Sequence, residues 1–453
     1  MNKKIRFSFS TSHIIMLSFL AAILVGSLLL FLPISSASGE SVPYIDALFT
    51  AASATCVTGL VTLPTVSTWS IFGQIVLLIL IQLGGLGIIT VMSGIMITLH
   101  KKMGLGNRIL LQDAFNLNTL TGLTSFVKKV IKGTLIIELL GALLYMTVFV
   151  PDFGAKGIWI SVFNSVSAFC NAGIDIISEN SLCSYAENPI INTVTSLLII
   201  LGGIGYVVWW DVIRVTKDVK TQGFKAYRRL TLHSKIAICA TLILIFTGAA
   251  LIFAFEYNNP LTMKDLSLFD KIQASFFQSV TTRTAGFATL PQENLTDASA
   301  ITSILLMFIG GSPVGTAGGI KTVTLAVVIA TAFSTIKGKE DATLFNRTVP
   351  KAAIRKAVAV LTTSFSTVFI ATLLLTARMD ADAIDILYET VSATATVGLT
   401  RNLTPTLDLF GKIVITLTMY LGRVGPISLA IAFSIKKNNP NIIKNPTEDI
   451  SVG

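Results

Sequence analysis

The sequence predicts an all-α polytopic membrane protein of four tandem, parallel repeats, each a helix, a pore loop and a second helix, around a pseudo-fourfold pore. Three observations carry this. Of 453 residues, 52% are hydrophobic and only 13% charged, against about 25% charged in an ordinary soluble domain. Mean hydropathy is +0.75. A soluble fold already leaves roughly half of its surface apolar and has nowhere to hide more. A bilayer covers it, at roughly 20 apolar residues per crossing. The other two observations are an internal repeat and the placing of basic residues.

Four segments align without gaps: FTAASATCVTGL from Phe49, FNSVSAFCNAGI from Phe163, FFQSVTTRTAGF from Phe276 and YETVSATATVGL from Tyr388. Their glycines, Gly59, Gly173, Gly286 and Gly398, are spaced by 114, 113 and 112 residues. A small-residue cluster follows each after 25, 29, 24 and 24 residues: LGGLGI, LGGIGY, IGGSPVGTAGGIKT and LGRVGPI. Two landmarks recurring in register identify a repeat.

Apolar runs place spans at 13–33, 71–99, 131–151, 190–214, 235–256, 300–336, 352–376 and 410–435. The segments before the glycines, such as 44–56, are too short and hydroxyl-rich to cross, and are expected to be re-entrant. Two crossings per repeat return the chain to its starting side. The repeats are therefore parallel, about an axis along the membrane normal, whereas inverted repeats need an odd number of crossings. The expected units are 1–110, 111–225, 226–345 and 346–435, followed by a cytoplasmic tail, 436–453. Residues 3–39 imitate a signal peptide, but their apolar run is too long for one. A retained span is expected.

Net charge is +10, which in a soluble chain would suggest nucleic acid. Here the basic residues gather at 3–6, 101–132, 214–235, 337–356 and 436–444, all on one side if the spans alternate. The positive-inside pattern makes that side, and both termini, cytoplasmic; no nucleic-acid partner is expected. Acidic residues such as Asp46, Asp175, Glu179 and Glu293 fall on the other side. There they either concentrate cations or simply solvate the loops.

After each re-entrant helix the backbone turns back as extended chain. Irregular backbone at membrane depth survives only inside protein or along a water-filled cavity. Carbonyls facing the axis can replace a cation's hydration shell. The candidate selectivity filter is Val57, Thr58 and Gly59; Asn171, Ala172 and Gly173; Thr284, Ala285 and Gly286; and Thr396, Val397 and Gly398. The last triplet copies the start of the potassium-channel filter. Glycine permits the turn and leaves no side chain in the way; the bland alternative is close helix packing.

These residues resemble the Trk/Ktr/HKT superfamily of K+ transporters, most closely the KtrB-type membrane subunits of bacterial Ktr systems, across essentially the whole chain. The resemblance implies one pore per four-repeat monomer, pairing as a homodimer, and K+ as the transported ion across a bacterial cell membrane. It also implies a cytosolic ring of RCK-type, KtrA- or KtrC-like subunits that bind nucleotide; no organic cofactor is expected in this chain. In the family a serine at the first filter glycine goes with Na+ permeation, so Gly59 favours K+.

The second helix of the third repeat contains Gly310, Gly311, Ser312, Pro313, Gly315, Gly318 and Gly319. Relative to alanine, Pro and Gly cost a helix about 3 and 1 kcal/mol each, so a break midway through the membrane is expected. The resemblance makes 310–319 an intramembrane loop that obstructs the pore and moves on gating; a static kink is the alternative. Arg423 stands where the other clusters carry Gly85, Gly203 and Gly311. It is expected to face the axis, bond loop carbonyls and act as a positive barrier. Lys321 either joins it or snorkels to the inner surface. The role of Glu138, inside the third span, is open.

No nucleophile–base–oxyanion set and no metal-ligand spacing is apparent, so an enzyme is not expected. The stretch from Gly315 to Thr322 is not a P-loop, because Ile320 separates Gly319 from Lys321 and no strand precedes it. His13, His100 and His233 fall singly near helix ends. Cys56 and Cys170 hold equivalent repeat positions, which favours packing over a disulfide. A Na+- or H+-coupled secondary transporter is the alternative to a gated, channel-like path, with Glu138 as its one clear carboxylate. The basic loops suit a regulatory ring or anionic lipid equally.

Overall fold

The computed structural model describes residues 11–99, 104–114 and 122–425. The basic residues at 3–6, Lys101, Lys102, His100, the end of the 410–435 span and the 436–453 tail lie outside the described residues. The first repeat holds α1 (Thr11–Phe31), α2 (Tyr44–Cys56), the single turn α3 (Thr65–Thr68), α4 (Ile71–Leu86) and α5 (Ile88–Thr98), with α6 (Leu105–Ala114) following. The second holds α7 (Leu123–Phe153), α8 (Lys156–Cys170), α9 (Pro189–Gly203) and α10 (Tyr206–Gln222). The third holds α11 (Leu232–Glu256), α12 (Leu268–Thr281), α13 (Asp297–Phe308) and α14 (Thr322–Ile336). A two-residue hairpin, β1 (Thr343–Leu344) and β2 (Arg347–Thr348), leads to α15 (Lys351–Thr376), α16 (Ala383–Ala395) and α17 (Leu409–Val424).

The opening helices α1, α7, α11 and α15 are the long apolar ones, and only 17–33% of their most apolar stretches is buried. Leu28, Leu139, Ile243 and Phe365 are among the large side chains they leave exposed. Such a surface belongs against lipid. The short helices α2, α8, α12 and α16 are buried instead, with hydroxyls and small residues toward the interior. The helices that return into the membrane start from side-chain caps: Ser70 on α4, Asn188 on α9, Thr296 on α13 and Asp408 on α17. Each side chain accepts a hydrogen bond from an amide of the first turn that otherwise has no partner.

The spans expected at 71–99 and 190–214 are not continuous. The pair α4 and α5, and the pair α9 and α10, each bend by 97°. The bends sit at Gly87 (φ 83, ψ 130) and Gly205 (φ 96, ψ 135). Those angles are open to glycine and closed to a side chain. Gly425, at φ 87, ends α17 at the matching place. The third repeat is distinct in degree: non-helical chain runs from Ile309 to Lys321.

The four repeats close in a ring. Each second helix packs on the pore helix of the next repeat: α4 on α8, α9 on α12, α13 on α16, and α17 back on α2. An ion pair locks the last joint, with Lys412 Nζ 2.5 Å from Asp46 Oδ1. Thr62 Oγ1 also donates to that oxygen, at 2.7 Å.

Candidate functional site

Three pore helices end in the same way. Thr58 N donates to Ser53 O, Ala172 N to Ser167 O and Val397 N to Ser392 O, each at 2.8 Å. Val57 (φ 58), Asn171 (φ 59) and Thr396 (φ 52) are left-handed at these ends. This is a Schellman closure, with a bulky residue where glycine is usual. In the third repeat α12 closes more simply, Ala285 N donating to Thr281 O at 2.9 Å, and Thr284 carries the positive φ of 67. A left-handed conformation costs a non-glycine residue roughly 1–2 kcal/mol.

The packing of the second helices explains these residues. A β-carbon on Gly84 would lie 2.7 Å from Val57 Cγ2, and one on Gly202 would lie 2.7 Å from Asn171 Oδ1. The leading glycine of each of these two clusters therefore receives a side chain from its own filter strand. The four aligned glycines stand out in the sequence, but this second left-handed position does not, because nothing in Val, Asn or Thr advertises it.

The four candidate filter glycines themselves meet around one axis. A β-carbon on Gly59 would lie 2.5 Å from the Ala172 oxygen and 3.1 Å from Gly398 Cα. One on Gly173 would lie 2.5 Å from the Ala285 oxygen. Gly286 meets the Val397 oxygen, and Gly398 meets the Thr58 oxygen. Each glycine thus faces a carbonyl of the following repeat, and the fourth faces the first. Ser53 and Ser392 hydroxyls brace the ring by accepting from Gly59 N and Gly398 N, both at 3.0 Å. Thr58 Oγ1, Asn171 Nδ2 and Thr396 Oγ1 are buried without a hydrogen-bond partner among the described residues. The pore helices also turn their partly negative C-terminal ends toward this place, which favours a cation.

One end of the axis opens into a vestibule of about 420 Å³, lined by all four filter glycines together with Asp175, Glu179 and Glu293. The other end is covered by the 309–321 loop. Ser312 N donates to Gly203 O at 2.8 Å and Thr316 N to Gly202 O at 3.1 Å. Thr316 Oγ1 donates to Asn171 Oδ1 at 2.7 Å, and Gly318 N to Thr284 Oγ1 at 3.1 Å. Gly310 and Gly319 are in contact where the loop's two ends meet. Pro313 and Gly315 sit against Gly205, at the bend of repeat two.

Two cations reach this loop. Arg423 donates to Thr316 O at 2.6 Å and also to Gly84 O. Lys321 Nζ turns back onto the Ala317 carbonyl rather than out to the surface. Glu138 lies behind the second filter strand, where Gln82 Nε2 donates to Oε1 at 3.1 Å. Nothing in the sequence singles out Gln82. Cys56 and Cys170 are free and buried. Gly85 packs against Cys170, and a β-carbon on that glycine would lie 2.5 Å from the sulfur.

A family model described as TrkH, cation transport protein, matches residues 3–445. The chain belongs to this family. It is 39% identical over 446 residues to the Ktr system potassium uptake protein B of Bacillus subtilis, covering 98% of this chain and 97% of that one. It is 38% identical to the potassium/sodium uptake protein NtpJ of Enterococcus hirae, covering 100% and 99%. The crystal structure of the potassium transporter TrkH from Vibrio parahaemolyticus matches with a TM-score of 0.75 at 15% identity, covering 96% of this chain and 87% of that one. That likeness establishes the TrkH-family fold: four pore-loop repeats in a membrane.

Proposed function

We propose that the chain conducts K+ into the cell as the membrane subunit of a Ktr-type uptake system. The filter is Val57–Gly59, Asn171–Gly173, Thr284–Gly286 and Thr396–Gly398 in the four repeats. The observation that carries this is the closed circuit in which each filter glycine faces the next repeat's carbonyl. Backbone oxygens at such a ring substitute for the water a K+ ion sheds. The vestibule carboxylates raise the cation concentration at its mouth. The names of the Bacillus and Enterococcus relatives support K+ as the ion. On this reading the vestibule is extracellular, and the basic loops and both termini are cytoplasmic.

The loop from Gly310 to Gly319 is the gate. Its hydrogen bonds to repeat two and to Thr284 of its own repeat, together with the cations Arg423 and Lys321, keep it seated under the filter. A cytosolic, nucleotide-binding RCK-type ring releases it, and two copies of the chain pair as a homodimer beneath which that ring docks. The Ktr name of the relatives supports a multi-subunit system. Coupling to Na+ is the second reading, favoured by the potassium/sodium name of the Enterococcus relative and by the intramembrane Glu138.

The test is rubidium and K+ flux in proteoliposomes under imposed Na+ and K+ gradients. Wild type is expected to pass K+ and Rb+ ahead of Na+, and Gly59→Ser to raise relative Na+ permeability. Unchanged selectivity in that variant would remove the filter assignment. A reversal potential that follows the Na+ gradient would favour coupling. Deleting 314–318 is expected to give a leaky, partner-independent conductance, and a folded but closed deletion would refute the gate.

A further inference from the structure

A second cavity, distinct from the vestibule, opens on the lipid-facing side between α11 and α14. Its volume is about 520 Å³. Its walls are apolar, and Ile243 and Phe333 are 62% and 59% exposed there. One end carries Lys337 and Lys339. The other reaches Thr322, whose amide donates to Gly311 O at 3.0 Å and whose hydroxyl bonds the Ser312 hydroxyl at 2.9 Å. The groove therefore runs from a pair of ammonium groups to the anchor of the intramembrane loop.

Its dimensions suit a lipid chain. Helix α14 has 15 residues, about 22 Å at 1.5 Å per residue, which is enough to run from the mid-membrane break before it across one leaflet, about half of the roughly 30 Å hydrocarbon layer. The lysines follow directly, at the level where headgroups begin. Charge then selects the lipid. Among the described residues no carboxylate lines the groove, since Glu340 and Asp341 adjoin it in sequence without contributing to its walls. A second copy of this chain seated there about a twofold axis along the membrane normal would add its own lysines at the same depth, with no carboxylate of the groove to offset them.

We propose that this groove binds an anionic phospholipid, with an acyl chain between α11 and α14 and the phosphate on Lys337 and Lys339. The assignment is independent of which ion the axis conducts. Two lysines near a membrane surface are worth roughly thirtyfold in affinity for an anionic headgroup.

The full chain, purified in mild detergent, is titrated with dioleoylphosphatidylglycerol, dioleoylphosphatidylcholine or inorganic phosphate, and retained molecules are counted by native mass spectrometry. Phosphatidylglycerol is expected to be retained at least tenfold better than phosphatidylcholine, with phosphate alone not retained. The preference should vanish in Lys337→Ala/Lys339→Ala, and both lipids should be retained less in Ala240→Phe, which obstructs the groove while leaving the exposed lysines in place. Equal retention of the two lipids, or retention untouched by both variants, overturns the proposal. So does a disulfide-linked dimer formed through Cys239 on mild oxidation, because Cys239 lines the groove and its pairing would make a second copy the occupant.

Discussion

Arg423, in the last turn of α17, donates a 2.6 Å hydrogen bond to the carbonyl oxygen of Thr316, 107 residues earlier in the chain. The same guanidinium also reaches Gly84 O, so one side chain ties repeat four to the loop of repeat three and to repeat one. A hydrogen bond to a charged group contributes about 1.5–3 kcal/mol. Arg423→Gln is therefore expected to raise basal K+ flux in partner-free proteoliposomes by at least about tenfold. Arg423→Lys, which keeps the charge but loses the fork, should fall between. A glutamine variant as tightly closed as wild type would show that the guanidinium does not hold the loop.

Gly173→Ala should abolish conduction. The new methyl group would lie 2.5 Å from Ala285 O and 2.7 Å from Gly286 Cα, at a φ of 65°. Gly39→Ala is the matched control, because Gly39 has a φ of 77° but nothing within 4 Å. Both pay the strain of about 1–2 kcal/mol for a left-handed alanine, readable as a lower unfolding temperature. Only Gly173→Ala should lose Rb+ flux. Equal flux in the two would mean that the glycine ring does not line the path.

Burial pushes the Asp175 carboxyl up to about 6, against lowering hydrogen bonds from Ser181 and the Ile177 amide. The group thus keeps its proton up to about pH 6 when folded, and only to about pH 4 when unfolded. Its contribution favours the fold at low pH and fades as pH rises between those values. Its charge at the vestibule runs the other way, appearing above pH 6. At limiting K+, uptake should increase from pH 5 to pH 7, and Asp175→Asn should flatten that rise. An asparagine variant with the wild-type profile would assign the titration elsewhere.

Much of the architecture is legible in the sequence because repetition multiplies weak signals. One glycine after a hydroxyl-rich segment says little, but four at spacings of 112–114 residues point to the ring in which Gly59 meets Ala172. The bends at Gly87 and Gly205 are hidden in plain view. Their clusters read simply as small residues within apolar runs, and only the backbone angles separate a glycine that packs, such as Gly84, from one that turns. The seating of the loop is illegible for a different reason. The bonds from Thr316 to Asn171 and from Gly318 to Thr284 join residues 145 and 34 positions apart, and no spacing rule connects them. Gln82 escapes notice because a glutamine within an apolar run acquires meaning only when Glu138 is found beside it.

The pair Lys412–Asp46 closes the ring between the last and first repeats, with side chains 17% and 6% exposed. Its partners lie 366 residues apart, so it forms only when the whole chain has been laid around the axis. Removing one member leaves the other charge largely buried, a loss that reaches about 3–5 kcal/mol for fully buried pairs. Because Thr62 still donates to Asp46, Lys412→Met should cost less, about 2 kcal/mol. Asp46→Leu/Lys412→Met, which removes both charges, should recover part of that loss. The measurement is thermal unfolding in detergent, alongside Rb+ flux at low temperature. A double variant no more stable than Lys412→Met would mean that the pair contributes attraction of its own rather than merely neutralising a buried carboxylate.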